Sequence, residues 1–277
     1  MKIFALLVVK NEDDIVEYTI RKALEWADYI IALDNNSSDN TYSILKKLDQ
    51  EYENFIFWGR YDGSFRDWLR SLIFNDYRHL SSPGDWVGWL DADELYDIDN
   101  PRDFLGSLPP KDDLVFSAVY QYYFTEADVN LDEQIPAPER MKYFVCNHSE
   151  RRFFKVKEHF NWPINRTWPF GLINPSAKRI RYKHYQYRSM EQMQKRKRVR
   201  LVANDNEQTS NVFFYETKNS TIMSSKDFIY DDGNSYQLPK EYQEKPVIKN
   251  WKDNFKNKLI NILFNSKLVD KILNSKM

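Results

Sequence analysis

Residues 86–94 read Trp86-Val87-Gly88-Trp89-Leu90-Asp91-Ala92-Asp93-Glu94. A short apolar run of strand length passes directly into carboxylates, so a buried strand ends at an acidic edge. Asp91 and Asp93 stand two residues apart in a segment leaving that strand. In extended geometry their side chains share a side, and paired hard oxygen ligands suit Mg2+ or Mn2+. A calcium loop is the rival reading of D-x-D. It needs Gly at its sixth position and Glu at its twelfth, where this chain has Tyr96 and Arg102. That reading fails.

Upstream, strand and helix patterns alternate. Ile3–Val9 is a continuous apolar run, followed by the acidic Glu12, Asp13 and Asp14, which suit a helix N-terminus. Val16, Ile20, Ala23, Leu24 and Ala27 then recur at helical spacing. Tyr29–Leu33 is a second strand ending in a polar cluster, residues 34–41, ahead of a helix marked by Ile44, Leu45 and Leu48. Phe55–Trp58 is a third strand, and Phe65, Trp68, Leu69, Leu72 and Ile73 mark a third helix before the strand at 86–90. This alternation predicts an α/β fold, with a mixed, mostly parallel sheet flanked by helices. Ligands of such sheets sit beyond the carboxyl ends of the strands. The polar clusters fall there: Lys10-Asn11-Glu12, Asp34-Asn35 and Asp91-Ala92-Asp93.

Composition narrows the chemistry. The 277 residues include 18 Phe, 18 Tyr and 8 Trp but only 7 Gly, which excludes disordered and collagen-like classes. Neither G-x-G-x-x-G nor G-x-x-x-x-G-K-[ST] occurs, so a diphosphate has no glycine-rich cradle and falls to a metal held by carboxylates. The net charge of -1 creates no whole-chain attraction to nucleic acid. One cysteine, Cys146, forms no internal disulfide and no Cys-rich zinc site. The opening Met1-Lys2 and the apolar run to Val9 read as a buried strand rather than a signal peptide, so the expected location is intracellular.

Three pieces, in order and each at a strand end, resemble the family 2 glycosyltransferases of the GT-A (Rossmann-like) fold. They are Val8-Val9-Lys10-Asn11-Glu12, the stretch from Ile30 through Asp34, Asn35 and Asn36 to Thr41, and Trp89-Leu90-Asp91-Ala92-Asp93-Glu94. The resemblance covers roughly residues 3–96. It implies a nucleotide-diphospho-sugar lying over the strand ends, with Asp34 and Asn35 at the base or ribose, Asp91 near the ribose, and Asp93 as the main ligand of Mn2+ or Mg2+. Lys10, Asn11 and Glu12 match the first nucleotide-contacting loop. Arg66 and Arg70 precede the acidic strand and are within reach of phosphates, although a solvated helix face explains them equally well.

Beyond residue 96, Leu114–Phe124 is β-rich, residues 125–142 read as a loop, and a strand-like stretch begins at Glu150. Inverting transfer needs a carboxylate to take the acceptor's proton. Glu150 is the leading candidate, with Glu158 and Asp128 in reserve. Its bland alternative is a salt bridge to Arg151 or Arg152. Trp162, Trp168 and Tyr123 can stack on sugar faces, and core packing explains most of them. Residues 178–200 carry ten Lys and Arg against one acid, Glu191. Within them, Tyr182-Lys183-His184-Tyr185-Gln186-Tyr187-Arg188-Ser189 resembles a segment of bacterial relatives of the family. Lys183 is expected at the donor diphosphate and His184 at the metal. A helix follows, capped by Ser189 with Gln192 in the capping-box position.

The expected organisation is a catalytic domain over 1–210 (donor half 1–96, acceptor half 97–210), a linker over 211–246, and a basic amphipathic helical extension over 247–277. From Lys245 to Met277 eight Lys stand against two Asp, and such a helix can lie on an anionic membrane or dock on the domain. The reading is a metal-dependent inverting glycosyltransferase of surface polysaccharide or lipopolysaccharide synthesis. It is cytoplasmic or peripheral on the inner membrane face, takes a UDP- or GDP-sugar and a glycan or lipid-linked acceptor, and has no nucleic-acid partner. A nucleotidyltransferase on this fold wants a glycine-rich first loop. A non-catalytic glycan- or nucleotide-binding protein is the alternative.

Overall fold

The computed structural model describes residues 1–196 and 222–247. The rest of the basic run from residue 197, part of the expected linker and the extension from residue 248 lie outside the described residues.

The alternation seen in the sequence becomes β1 (Ile3–Val9), α1 (Val16–Ala23), β2 (Tyr29–Asp34), α2 (Thr41–Glu51), β3 (Phe55–Arg60), α3 (Leu69–Asp76) and β4 (Trp86–Leu90). β3-β2-β1-β4 form an all-parallel half sheet. Every residue of β1 is buried, because helices cover both faces. Its odd residues Ile3, Ala5, Leu7 and Val9 pack with α1 and α2 through Val16, Ile20, Leu45 and Leu48. Its even residues Phe4, Leu6 and Val8 pack with Leu69, Ile73 and Phe74 of α3. Period-two alternation between two cores is what a doubly covered strand requires.

The second half is β5 (Glu94–Leu95), α4 (Pro101–Gly106), β6 (Leu114–Tyr122), α5 (Ala137–Arg140), β7 (Tyr143–His148), β8 (Arg151–Lys155), β9 (Pro175–His184) and β10 (Ile229–Tyr230). β8 pairs antiparallel with both β4 and β6 and so joins the halves. β7 runs antiparallel to the far part of β6, and Ser149-Glu150, which links β7 to β8, stays hydrogen bonded to Ser117 of β6. β9 runs parallel to β6 and pairs with β5. The expected class, an α/β fold with a mixed sheet flanked by helices, is what forms.

Residues 222–247, within the stretch read as a linker, pack onto this half as a strap. β10 adds an edge strand to β7. Asp231 accepts hydrogen bonds from Tyr122 Oη and Tyr236 Oη (each 2.5 Å), and Tyr236 stacks on Phe144. Periodicity could not reveal a segment held by side-chain anchors rather than by a regular element.

Candidate functional site

The carboxyl ends of β1, β2 and β4 lie on one edge, as parallel pairing demands. Two left-handed asparagines shape the loops there, Asn11 (φ 56°) and Asn36 (φ 57°), a conformation in which Asn is enriched. The loops latch together: Asn11 N–H donates to Ser37 Oγ (3.0 Å), Ser38 N–H to Asn11 Oδ1 (2.8 Å), and Glu12 N–H to Thr41 Oγ1 (2.9 Å). Lys10 is exposed beside them. Asp34 is fully buried, receiving Arg60 Nε at 2.9 Å and Ser37 N–H. Asn35 donates to the carbonyls of Tyr61 and Gly63 (2.9 and 2.7 Å), while its buried Oδ1 has no partner among the described residues. A buried acceptor left open is costly unless something fills it.

Asp91 and Asp93 share the strand end but divide between two sets of cations. Asp91 pairs with Arg70, whose buried guanidinium lies 4.3 Å over the Trp89 ring, and it lies 3.5 Å from Arg152. The chain turns between them and returns as β5, so the extended geometry that would align the two carboxylates is lost. Asp93, nearly buried, has His184 Nε2 at 3.4 Å, Arg196 at 3.5 Å and Arg188 at 3.8 Å. Burial raises its pKa, but His184 and the two guanidiniums outweigh burial and hold the carboxyl well below the ordinary range. Arg188 also pairs with Glu12 and Asp14, and Arg196 reaches Glu12 at 3.4 Å. Burial pushes the Glu12 carboxyl up against the pull of Arg188.

A second buried set surrounds Arg152. His148, Glu150 and Arg152 alternate along β7 and β8 and therefore share a face. Arg152 hydrogen bonds Glu94, Glu150 and Tyr182 Oη. Tyr182 also donates to Glu150 Oε1 at 2.8 Å, and His148 Nε2 lies 3.7 Å from Glu150 Oε2. Burial raises the Glu150 pKa, yet Arg152 and the Tyr182 hydrogen bond bring it below the usual value. Glu94 also pairs with Arg152, but there burial outweighs the guanidinium and pushes the carboxyl up to about 8.

Several expected residues lie elsewhere. Lys183 neighbours His184 on a strand and so points to the opposite face, where it pairs with Asp97 (3.1 Å) and Asp231 (3.2 Å). Arg66 is exposed ahead of α3, and it is Arg70, one turn on, that meets Asp91. Asp128 is buried in a capping box with Thr125. Glu158 is exposed beyond the end of β8 remote from Glu150. Trp162 is core, Trp168 stacks on Trp89 at 4.2 Å, and Tyr123 stacks on Phe228 at 4.8 Å. Cys146 is half-buried, its thiol pushed up to about 12 by burial, unsuited to a nucleophile.

The sequence offered Arg152 only as a salt-bridge partner of Glu150, which the structure shows it to be, and marked Glu94, Asp14 and Arg196 for no role in the site. One signal was there to use: the alternation of His148, Glu150 and Arg152. Arg188 lies in the segment expected near the donor, while Arg196 sits in a basic run that a solvated face explains; nothing local marks either as a partner of Glu12.

Among the described residues, no three His, Cys, Asp or Glu side chains are placed to hold a metal ion by themselves. Asp93 still fits the sparing mode in which a hard cation takes one or two carboxylates and borrows further oxygens from substrate phosphates, with the His184 imidazole beside it at 3.4 Å. Asp91, turned to Arg70 and Arg152, stands outside that pair. No helix among the described residues is long and apolar enough to cross a membrane.

No protein-family model matches the sequence, and a comparison with curated proteins finds no match. Among solved structures, the chain is similar to S. aureus TarS 1-349, at 11% identity and a TM-score of 0.32, covering 48% of this chain and 38% of that one. It is also similar to mannosyltransferase PcManGT from Pyrobaculum calidifontis in complex with GDP-Man and Mn2+, at 17% identity and a TM-score of 0.34, covering 56% and 44%. The chain spans less than half the length of either.

Proposed function

We propose that the protein is a metal-dependent inverting glycosyltransferase. It moves a sugar from a UDP- or GDP-sugar to a hydroxyl of a glycan or lipid-linked acceptor, in the synthesis of a surface polysaccharide or lipopolysaccharide. The observation that carries this reading is one sheet edge that holds both Asp34 and Asn35 and the Asp93, His184, Arg188 and Arg196 cluster. A nucleotide laid along that edge brings its nucleoside to Asp34 and to the open Oδ1 of Asn35, which accepts a base or ribose donor. Its diphosphate falls against Arg196, the more accessible of the two guanidiniums (21% exposed, against 1% for Arg188), which neutralises it by charge-assisted hydrogen bonds while Arg188 stays paired with Glu12 and Asp14. Asp93 and His184 are the residues that would hold a divalent cation. When bound, such a cation acts as a Lewis acid for the departing diphosphate. Residues 1–96 then form the donor half and 97–210 the acceptor half, with the basic extension 247–277 as a contact for an anionic membrane surface.

Calorimetry with UDP and GDP, with and without Mn2+, tests the reading. Wild type should bind one of them in a Mn2+-dependent way. Asp93→Ala should weaken that binding by at least the roughly 10–100-fold that losing even an outer-shell partner costs. Nucleotide binding indifferent to both Mn2+ and the substitution sinks the donor-site assignment.

A further inference from the structure

Resting on the transferase reading, we propose that His148, oriented by Glu150, is the base that takes the proton of the acceptor hydroxyl. Inverting transfer needs a proton acceptor open to the incoming hydroxyl and close to the strand-end cluster. The row His148, Glu150, Arg152 supplies the location, because Arg152 reaches Asp91 at 3.5 Å from the same face. The link is also rigid. Ser117 N–H donates to the Glu150 carbonyl (2.7 Å), Ser149 Oγ donates to the Ser117 carbonyl (2.6 Å), and Glu150 N–H donates to Ser117 Oγ (3.2 Å).

The neighbouring carboxylates are worse bases. Glu150 is held as an anion by Arg152 and Tyr182, and a carboxylate so stabilised has little appetite for a proton. Glu94 is only 1% exposed and is paired with Arg152, out of an acceptor's reach. The His148 side chain, by contrast, is 54% exposed, with Nε2 facing Glu150 Oε2. Burial lowers its pKa; Glu150 pulls it up, while His184 and Arg152 press it down, so the net shift is below the ordinary imidazole value. At neutral pH the ring is therefore uncharged. A proton on Nε2, toward Glu150, leaves the Nδ1 lone pair for the substrate. Glu150, itself held by Arg152 and Tyr182, stands 3.7 Å from Nε2, and closing that gap to a hydrogen bond when substrate enters gives the oriented imidazole of an activated base.

The step balances. The acceptor O–H gives its proton to His148 Nδ1 as its oxygen bonds to the anomeric carbon of the nucleotide-sugar. The bond from that carbon to the diphosphate oxygen breaks, and its electron pair leaves with the nucleoside diphosphate.

The test is nucleoside-diphosphate release from UDP-glucose, UDP-N-acetylglucosamine and GDP-mannose by the full chain, with water in the acceptor's place. UDP and GDP binding is measured in parallel. His148→Ala should lower kcat by about 10²–10⁴-fold, the range of general base catalysis, leaving KM and nucleotide affinity unchanged. Added imidazole should restore part of the rate to His148→Ala and none to His148→Gln, whose side chain fills the gap. Wild-type rates in both variants overturn the proposal. So does a loss that imidazole does not relieve, or one matched by a fall in nucleotide affinity, since either makes His148 structural. A wild-type chain that neither binds nor hydrolyses these nucleotides overturns the transferase reading itself.

Discussion

Glu94 is a carboxyl with 1% exposure whose pKa is pushed up to about 8 by burial, with Arg152 opposing. Its unfolded value is near 4.5. Between those values the unfolded chain has released a proton that the folded chain keeps, so stability falls as pH rises through that window. Glu94→Gln has no proton to release. Denaturant unfolding at pH 5 and pH 8 should show wild type losing stability relative to Glu94→Gln, at most about 1.4 kcal/mol per pH unit; a constant difference would refute the assignment. At this scale the sequence was readable only where residue type and position coincide. Asp34, Asn35, Asp91 and Asp93 announce themselves at strand ends. Arg196 and the link from Arg188 to Glu12 do not, because an arginine that neutralises a distant carboxylate is written no differently from one that faces solvent.

At the level of the elements, the meeting of β4 with β8 depends on Gly88. A methyl there would lie 2.2 Å from the Phe153 ring, which is itself packed against Trp26 and Tyr96. Gly88→Ala should therefore destabilise by about 1–3 kcal/mol, the usual cost of overpacking. An unchanged denaturation midpoint would show that the ring has room to turn. The first four strands and three helices were legible because apolar periodicity is unbroken from Ile3 to Leu90, with β1 and β4 matching residue for residue. β7 and β9 were not. β9 alternates Ile180 and Tyr182 with Arg179, Arg181 and Lys183; Arg181 pairs with Asp99, Lys183 with Asp97 and Asp231, and Arg179 donates to the Tyr242 carbonyl and Ser149 Oγ. A basic run hid a half-buried strand. The Ser189 cap was readable and half forms: Gln192 N–H donates to Ser189 Oγ, but the Gln192 side chain accepts from Arg188 N–H instead.

The whole molecule is closed by residues far from the core motifs. The strap from residue 222 to 247 carries Asp231 and Tyr236 onto Tyr122, Lys183 and Phe144, so a boundary drawn at residue 210 cuts through a packed unit. A chain ended at 210 should be less stable than one ended at 247. The loss should be at least the roughly 1.5–3 kcal/mol that burying one large side chain contributes; equal melting of the two would mean the strap only rests on the sheet. The Asp93 cluster spans the chain even more widely. Arg188 closes on Glu12 across 176 residues, and Arg196 across 184. Contacts of such high order form late, since the intervening loop must be ordered before they return any free energy. During synthesis the acidic edge therefore emerges well before its arginines. Glu12, Asp14 and Asp93 pass through a stage of mutual repulsion that the parallel half sheet must survive on its apolar core alone.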